Sequence, residues 1–165
     1  MNAIFLIDGF NLYHSLTPQP LVHYKWLNLR SLAEKFTPRT ELIKDIFYFT
    51  ALTPWSPEKM KRHRVFIKAQ EYFGIQVVYG EFRKRTKICQ NCTTIYSTFE
   101  EKQTDVNIAI TLFRLAIENK FEKAYILSGD SDLIPSVKAV KKLFPTKLIG
   151  VIIHIGRNAE ELKNI

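Results

Sequence analysis

Short unbroken apolar runs punctuate this chain. Ala-Ile-Phe-Leu-Ile (3–7) has no polar alternation, the pattern of a strand covered on both faces of a parallel sheet. It stops at Asp8-Gly9-Phe10-Asn11. Similar strand character recurs over Leu42 to Leu52, Ile75 to Tyr79, Ala124 to Leu127 and Leu148 to Ile153.

Helical spacing fills the intervals. Leu29, Leu32, Ala33 and Phe36 follow Asn28, a good N-cap, and Pro38 ends the pattern. Ser56-Pro57-Glu58 reads as a helix start, and Val65, Phe66, Ala69, Tyr72 and Phe73 carry apolar spacing up to Gly74. Thr104 is the expected N-cap of a helix with Val106, Ala109, Ile110, Phe113 and Ile117 on one face. Leu133 to Leu143 is a further helix with Pro135 in its first turn, and Asn158 to Ile165 a short terminal one. Arg83 to Cys92 breaks the rhythm as a basic excursion, and Thr94 to Phe99 reads as a strand returning from it, a hairpin-like insertion. Strands alternating with helices predict one α/β domain over residues 1–165, with a mainly parallel sheet sandwiched by helices.

Composition narrows the setting. The 165 residues are 46% hydrophobic, enough for a substantial core. No apolar run approaches the roughly 18–20 residues of a membrane span, so no membrane partner is expected. Two cysteines make no disulfide framework, and the reading is of a cytoplasmic protein. A net charge of +8 attracts polyanions, nucleic acid first among them.

The acids suggest the chemistry. Asp8 follows the first strand, while Asp130 and Asp132 follow a later one in Ser128-Gly129-Asp130-Ser131-Asp132, so both groups should reach one rim of the sheet. Asp105 opens a helix, where a favourable interaction with the helix dipole is the simpler explanation. Carboxylates about 4 Å apart repel by roughly 4 kcal/mol at an effective dielectric near 20, so a cluster must protonate or recruit a cation. Oxygen donors favour Mg²⁺ or Mn²⁺ over Zn²⁺. Asn11, one turn after Asp8, reads either as a hydrogen-bonding group for a phosphate or metal-bound water or as a local turn former.

Three segments, Ile-Phe-Leu-Ile-Asp-Gly-Phe-Asn-Leu (4–12), Glu-Lys-Gln-Thr-Asp-Val-Asn-Ile-Ala (101–109) and Tyr-Ile-Leu-Ser-Gly-Asp-Ser-Asp-Leu (125–133), resemble the NYN branch of the PIN-like nuclease superfamily, its LabA-type group. The resemblance implies a PIN-like three-layer α/β/α fold and Mg²⁺- or Mn²⁺-dependent cleavage of RNA phosphodiesters by metal-activated water. It makes Asp8, Asp105, Asp130 and Asp132 the metal-binding acids, with Asn11 and Ser128 as supporting polar groups. Where the family commonly has Lys-Gly-Val-Asp, this chain has Lys102-Gln103-Thr104-Asp105, which keeps the acid. One ion or two fits four carboxylates equally well.

Arg83, Lys84, Arg85 and Lys87, with Lys102, are the expected contacts to single-stranded RNA, and Phe82 and Tyr96 the candidate stacking surfaces for its bases. The alternative for such a charge run is a solvated loop. Cys89-Gln90-Asn91-Cys92 has the gap of a zinc knuckle but supplies half of a closed site. A second copy of the chain or a folded-back residue would have to complete it, and the histidines at 14, 23, 63 and 154 show no ligand-like spacing. Free thiols in a tight turn and a redox pair are the other readings. His14 is read as packing beside the exit of the first strand, and Trp26 and Trp55 as anchors. Two rivals remain. One is an RNA-binding adaptor of the same fold without turnover. The other is a haloacid-dehalogenase-like phosphatase, whose second acid falls where this chain has Phe10.

Overall fold

The computed structural model describes residues 1–153. The expected helix at Asn158 to Ile165 and the position of His154 lie outside them.

Five strands, β1 (Asn2–Asp8), β2 (Leu42–Thr50), β3 (Gln76–Tyr79), β6 (Lys123–Leu127) and β7 (Leu148–Ile152), form one sheet in the order β3-β2-β1-β6-β7, and every neighbouring pair is parallel. The chain steps outward from β1 through β2 to β3 on one side, and later from β6 to β7 on the other. The order therefore reverses between β1 and β6, and it is outside the carboxyl ends of strands at such a switch point that open parallel sheets carry their ligand crevice.

Helices α1 (Gly9–Ser15), α2 (Leu29–Phe36) and α3 (Pro57–Tyr72) cover one face. Leu12, Leu29, Ala33 and Ile67 pack there on Ala3, Phe5 and Ile7. Helices α4 (Thr104–Ile117) and α5 (Ile134–Leu143) cover the other, with Ile108, Leu112, Val137 and Val140 against Ile4, Leu6, Phe47 and Phe49. The result is the α/β/α sandwich with a parallel centre. Period-two side-chain alternation sends alternate residues of β1 into two separate cores, so the whole run is apolar.

Several local expectations change. Asp8 N-caps α1 directly, so Gly9 to Ser15 is a helix that the apolar pattern does not announce, and a 3₁₀ turn at Leu21–Trp26 is likewise unannounced. Asn28 does cap α2, accepting from the amides of Arg30 and Ser31 at 3.0 and 3.2 Å. Ser56 holds the N-cap position of α3 without a side-chain bond, and the buried residues of α3 are Ile67 and Gln70, while Val65, Tyr72 and Phe73 are exposed. Gln70 ties α3 to α2, accepting from Leu29 N at 3.0 Å and donating to Leu27 O at 3.1 Å.

Gln103, not Thr104, caps α4, and it does so in the left-handed region at φ 77°. The expected apolar stripe of α4 is only partly used: Val106, Ile110 and Ile117 are exposed, Phe113 packs at the margin of the core, and Ile108, Leu112, Leu115 and Ala116 are the buried residues.

The insertion is a hairpin of β4 (Glu81–Ile88) and β5 (Ile95–Lys102), an antiparallel sheet of its own. Register and pleat sort its side chains. Arg83, Arg85 and Lys87 share one face with Tyr96, Glu100 and Lys102; Phe82, Lys84 and Ile88 share the other with Ile95, Phe99 and Glu101. Trp55 stacks on Phe99 at 4.0 Å between ring centroids and meets Phe82 edge-on at 4.8 Å, fixing the hairpin's root to the loop after β2.

Candidate functional site

Asp8 ends β1 at the crevice, buried, with every oxygen engaged. Its Oδ1 accepts from Asn11 N at 3.0 Å, and its Oδ2 accepts from Asn11 Nδ2 at 2.7 Å and from Ser128 Oγ at 2.8 Å. The Ser128 bond ties the carboxyl end of β1 to that of β6. Ser128 Oγ in turn accepts from Asp130 N at 3.1 Å, and Asp130 Oδ1 accepts from Asp132 N at 3.0 Å. One chain of hydrogen bonds thus runs through Asn11, Asp8, Ser128, Asp130 and Asp132.

The backbone comes close here. A Cβ on Gly9 would lie 2.6 Å from Phe49 O and from the Tyr48 ring, so only glycine lets α1 start this near β2. Tyr48 is pushed up to about 12, by burial first, with the charge of Asp8 adding to it.

Asp105 enters from α4. Its carboxyl is raised to about 6, first by burial and then by repulsion from Asp130, Asp8, Glu101 and Asp132 in that order. Acids from four separate segments therefore act on one another.

Glu101 is the member that sequence reading missed. It sits in the 101–109 segment yet reads as one more charge at a strand end. In the fold its Oε1 accepts from Thr104 N at 3.2 Å and from Thr104 Oγ1, so it caps α4 from outside the helix. Its carboxyl is raised by burial and by Asp8, against the lowering effect of those Thr104 bonds. His63 also gives no sign of its place in the sequence: its Nε2 lies 3.2 Å from Oγ1 of Thr50 at the end of β2, and burial lowers its pKa.

The donors suit a hard cation. They are oxygens, they repel one another, and the Asn11 side-chain carbonyl is buried at the same place without a hydrogen-bond partner. The resting side chains are not pre-arranged as a cage: among the described residues no three His, Cys, Asp or Glu side chains are grouped to hold an ion. Asp132 is exposed, Asp105 and Asp130 half-buried, and the hydrogen bonds hold Asp8 rather than the others.

The basic residues lie along the hairpin. Lys87, Lys102 and Arg85 converge on Glu100 at 2.8, 3.3 and 3.9 Å, and Arg83 pairs with Glu81. Lys84 projects from the opposite face to these four. The two expected stacking residues are likewise split. Phe82 turns inward to Trp55 and, at 6.3 Å, to Phe10, whereas Tyr96 is on the outer face beside Lys87. His14 is exposed on α1, edge-on to Phe10 at 4.3 Å. Cys89 and Cys92 are free thiols at the hairpin tip. Cys92 is lowered to about 7, mainly by its hydrogen bonds with Thr94.

No described helix is long and apolar enough to cross a membrane. Compared with known proteins, the chain matches the model of the family described as NYN domain over residues 2–164. It is 26% identical, over an alignment 188 positions long, to the 6-hydroxy-3-succinoylpyridine 3-monooxygenase of Pseudomonas putida, an alignment that takes in 92% of this chain and 59% of that relative's length. A crystal structure of a protein of unknown function from Vibrio parahaemolyticus superposes with a TM-score of 0.63, covering 99% of this chain and 87% of that one, at 14% identity. That likeness is one of fold.

Proposed function

From the premise that the chain belongs to the NYN domain family, a nuclease family, we propose that it is a divalent-metal-dependent ribonuclease acting on single-stranded RNA. One observation carries the reading: a chain of hydrogen bonds joins Asp8 at the end of β1 through Ser128 to Asp130 and Asp132 after β6, with Asp105 near enough for their charges to raise its carboxyl.

Asp8, Asp105, Asp130 and Asp132 are the residues that would hold Mg²⁺ or Mn²⁺, and their oxygen chemistry suits either ion. Such an ion supplies a Lewis acid for the phosphoryl oxygens and a lowered pKa for water. The protein's own part is positional. Asn11 and Ser128 fix both oxygens of Asp8 before any ligand arrives, so that this one carboxylate needs no reorganisation. Glu101 anchors the start of α4, and with it Asp105. Without a cation Asp105 keeps its proton up to about pH 6 and releases it when positive charge arrives.

Phosphates would enter along the outer face of the hairpin. Its cations are paired with acids in full contact with solvent, which screens the pairs, so exchanging Glu100 for a phosphate costs little.

The test incubates purified chain with labelled single-stranded RNA in Mg²⁺, in Mn²⁺ and in EDTA. Internal or terminal cleavage with either ion, none in EDTA, and loss in D130N are expected. Binding without turnover would leave the adaptor reading, release of terminal phosphate alone the phosphatase. Full activity in D130N would remove the site. The monooxygenase relative, matched across most of this chain, favours a second reading, and oxygen uptake with 6-hydroxy-3-succinoylpyridine checks it.

A further inference from the structure

We propose that Cys89 and Cys92 form half of a zinc site that closes when two copies of this chain meet tip to tip through their β4–β5 hairpins. The tip is built for the first half. Cys89 N donates to Thr94 O and Thr93 N to Cys89 O, both at 2.9 Å, with Thr93 in the left-handed region at φ 55°. This tight turn sets the two cysteines at its two ends, with Cys92 Sγ donating to Thr94 Oγ1 at 3.3 Å. It is the two-residue gap from which closed structural zinc sites take two of their four ligands.

The second half is missing locally. Among the described residues no third His, Cys, Asp or Glu joins the pair, and a closed structural zinc site takes four ligands. An equal pair from a two-fold-related chain supplies four sulfurs in one step, because the same patch serves both sides.

The surroundings fit a second copy. Ile88 and Ile95 sit directly opposite each other at the end of the ladder, 64% and 67% exposed. Nothing among the described residues covers this apolar pair, and a two-stranded hairpin is marginal without something to pack on. Self-contact buries it twice over. Charge also fits. Four thiolates around a divalent ion leave a double negative charge, which offsets part of the repulsion between two chains of formal net charge +8 each. The ligating thiols give up their protons to solvent as the metal enters.

The experiment reads metal and mass, not cleavage, so it stands apart from the nuclease reading. Full-length chain is purified with added ZnCl₂, dialysed, and analysed for zinc and for solution mass. One zinc per two chains, and a particle of twice the 19.3 kDa chain mass that falls to monomer on chelation, are expected. C89S and C92S should each lose the zinc and the dimer while keeping the far-UV spectrum. I88S with I95S should weaken the dimer at least tenfold. Cobalt in place of zinc should give the visible bands of a tetrahedral thiolate site. Absence of retained zinc, one zinc per monomer, or a dimer indifferent to chelation and to C89S would each overturn the proposal.

Discussion

Removing the charge of Asp105 should stabilise the metal-free protein. Its carboxyl stands at about 6 because burial and four neighbouring acids disfavour the ionised form. An unfolded aspartate titrates near 3.9. Between about pH 4 and pH 6 the folded state therefore binds the extra proton, so stability falls as pH rises through that window, and the full penalty is present above it. At roughly 1.4 kcal/mol per pH unit the penalty is at most about 3 kcal/mol, and solvent screening of a half-exposed group brings it nearer 1 kcal/mol. For a chain of this length that is about 2–4 °C in Tm.

The assay is thermal unfolding of the wild type and D105N in EDTA at pH 4 and pH 7.5, then at pH 7.5 with Mn²⁺. In EDTA the variant should melt higher at pH 7.5 and equal the wild type at pH 4. Manganese should reverse the order. An ion at 100 times its Kd adds about 2.7 kcal/mol to the protein that binds it, and the variant lacks one ligand. Equal melting at pH 7.5 in EDTA would refute the repulsion, and equal stabilisation of both proteins by Mn²⁺ would refute the role of Asp105 as a ligand.

Further outcomes follow from the same geometry. D8A should cost about 1–3 kcal/mol in urea unfolding, because it strands the buried donors of Asn11 and Ser128; D8N should unfold closer to wild type while losing RNA cleavage. G9A forces a methyl against Phe49 O and Tyr48, and should lower stability by about 1–3 kcal/mol. E100Q frees Lys87, Lys102 and Arg85, so single-stranded RNA should bind several-fold tighter in a filter assay. Its log-log salt slope should steepen by roughly 0.7 for each additional phosphate neutralised.

The sheet was legible because strands buried on two faces have no alternation to confuse, and Asn28 and Pro57 punctuate their helices as expected. The faces of the helices were not. Along α4, Val106, Ile110, Phe113 and Ile117 and the set Ile108, Leu112 and Leu115 both repeat at helical spacing, so periodicity alone offers two apolar stripes. What chooses between them is the rotation at which the helix begins. That is set by Gln103 in the left-handed region and by Glu101 bonding back to Thr104, contacts in which neither residue type announces itself. A left-handed glutamine is an uncommon choice, invisible to any propensity.

The same turn explains why the acids were only partly readable. Asp8 and Asp130 sit at strand ends, where parallel topology alone directs them to one crevice. Asp105 reaches it only because the hairpin closes on itself at the foot of α4. There Gly80 lies under Glu101 and Thr104, and a Cβ on it would meet Lys102 O at 2.7 Å and Glu101 Oε1 and Thr104 Oγ1 at 2.8 Å. A methyl at Gly80 must therefore move either the hairpin root or the first turn of α4. G80A should consequently act at a distance: Mn²⁺ binding measured by calorimetry should weaken although no metal-holding acid has been changed, and the pH dependence between 4 and 6 should flatten as Asp105 draws away from Asp130 and Asp8. Unchanged Mn²⁺ affinity in a folded G80A protein would mean that α4 finds its place without the hairpin.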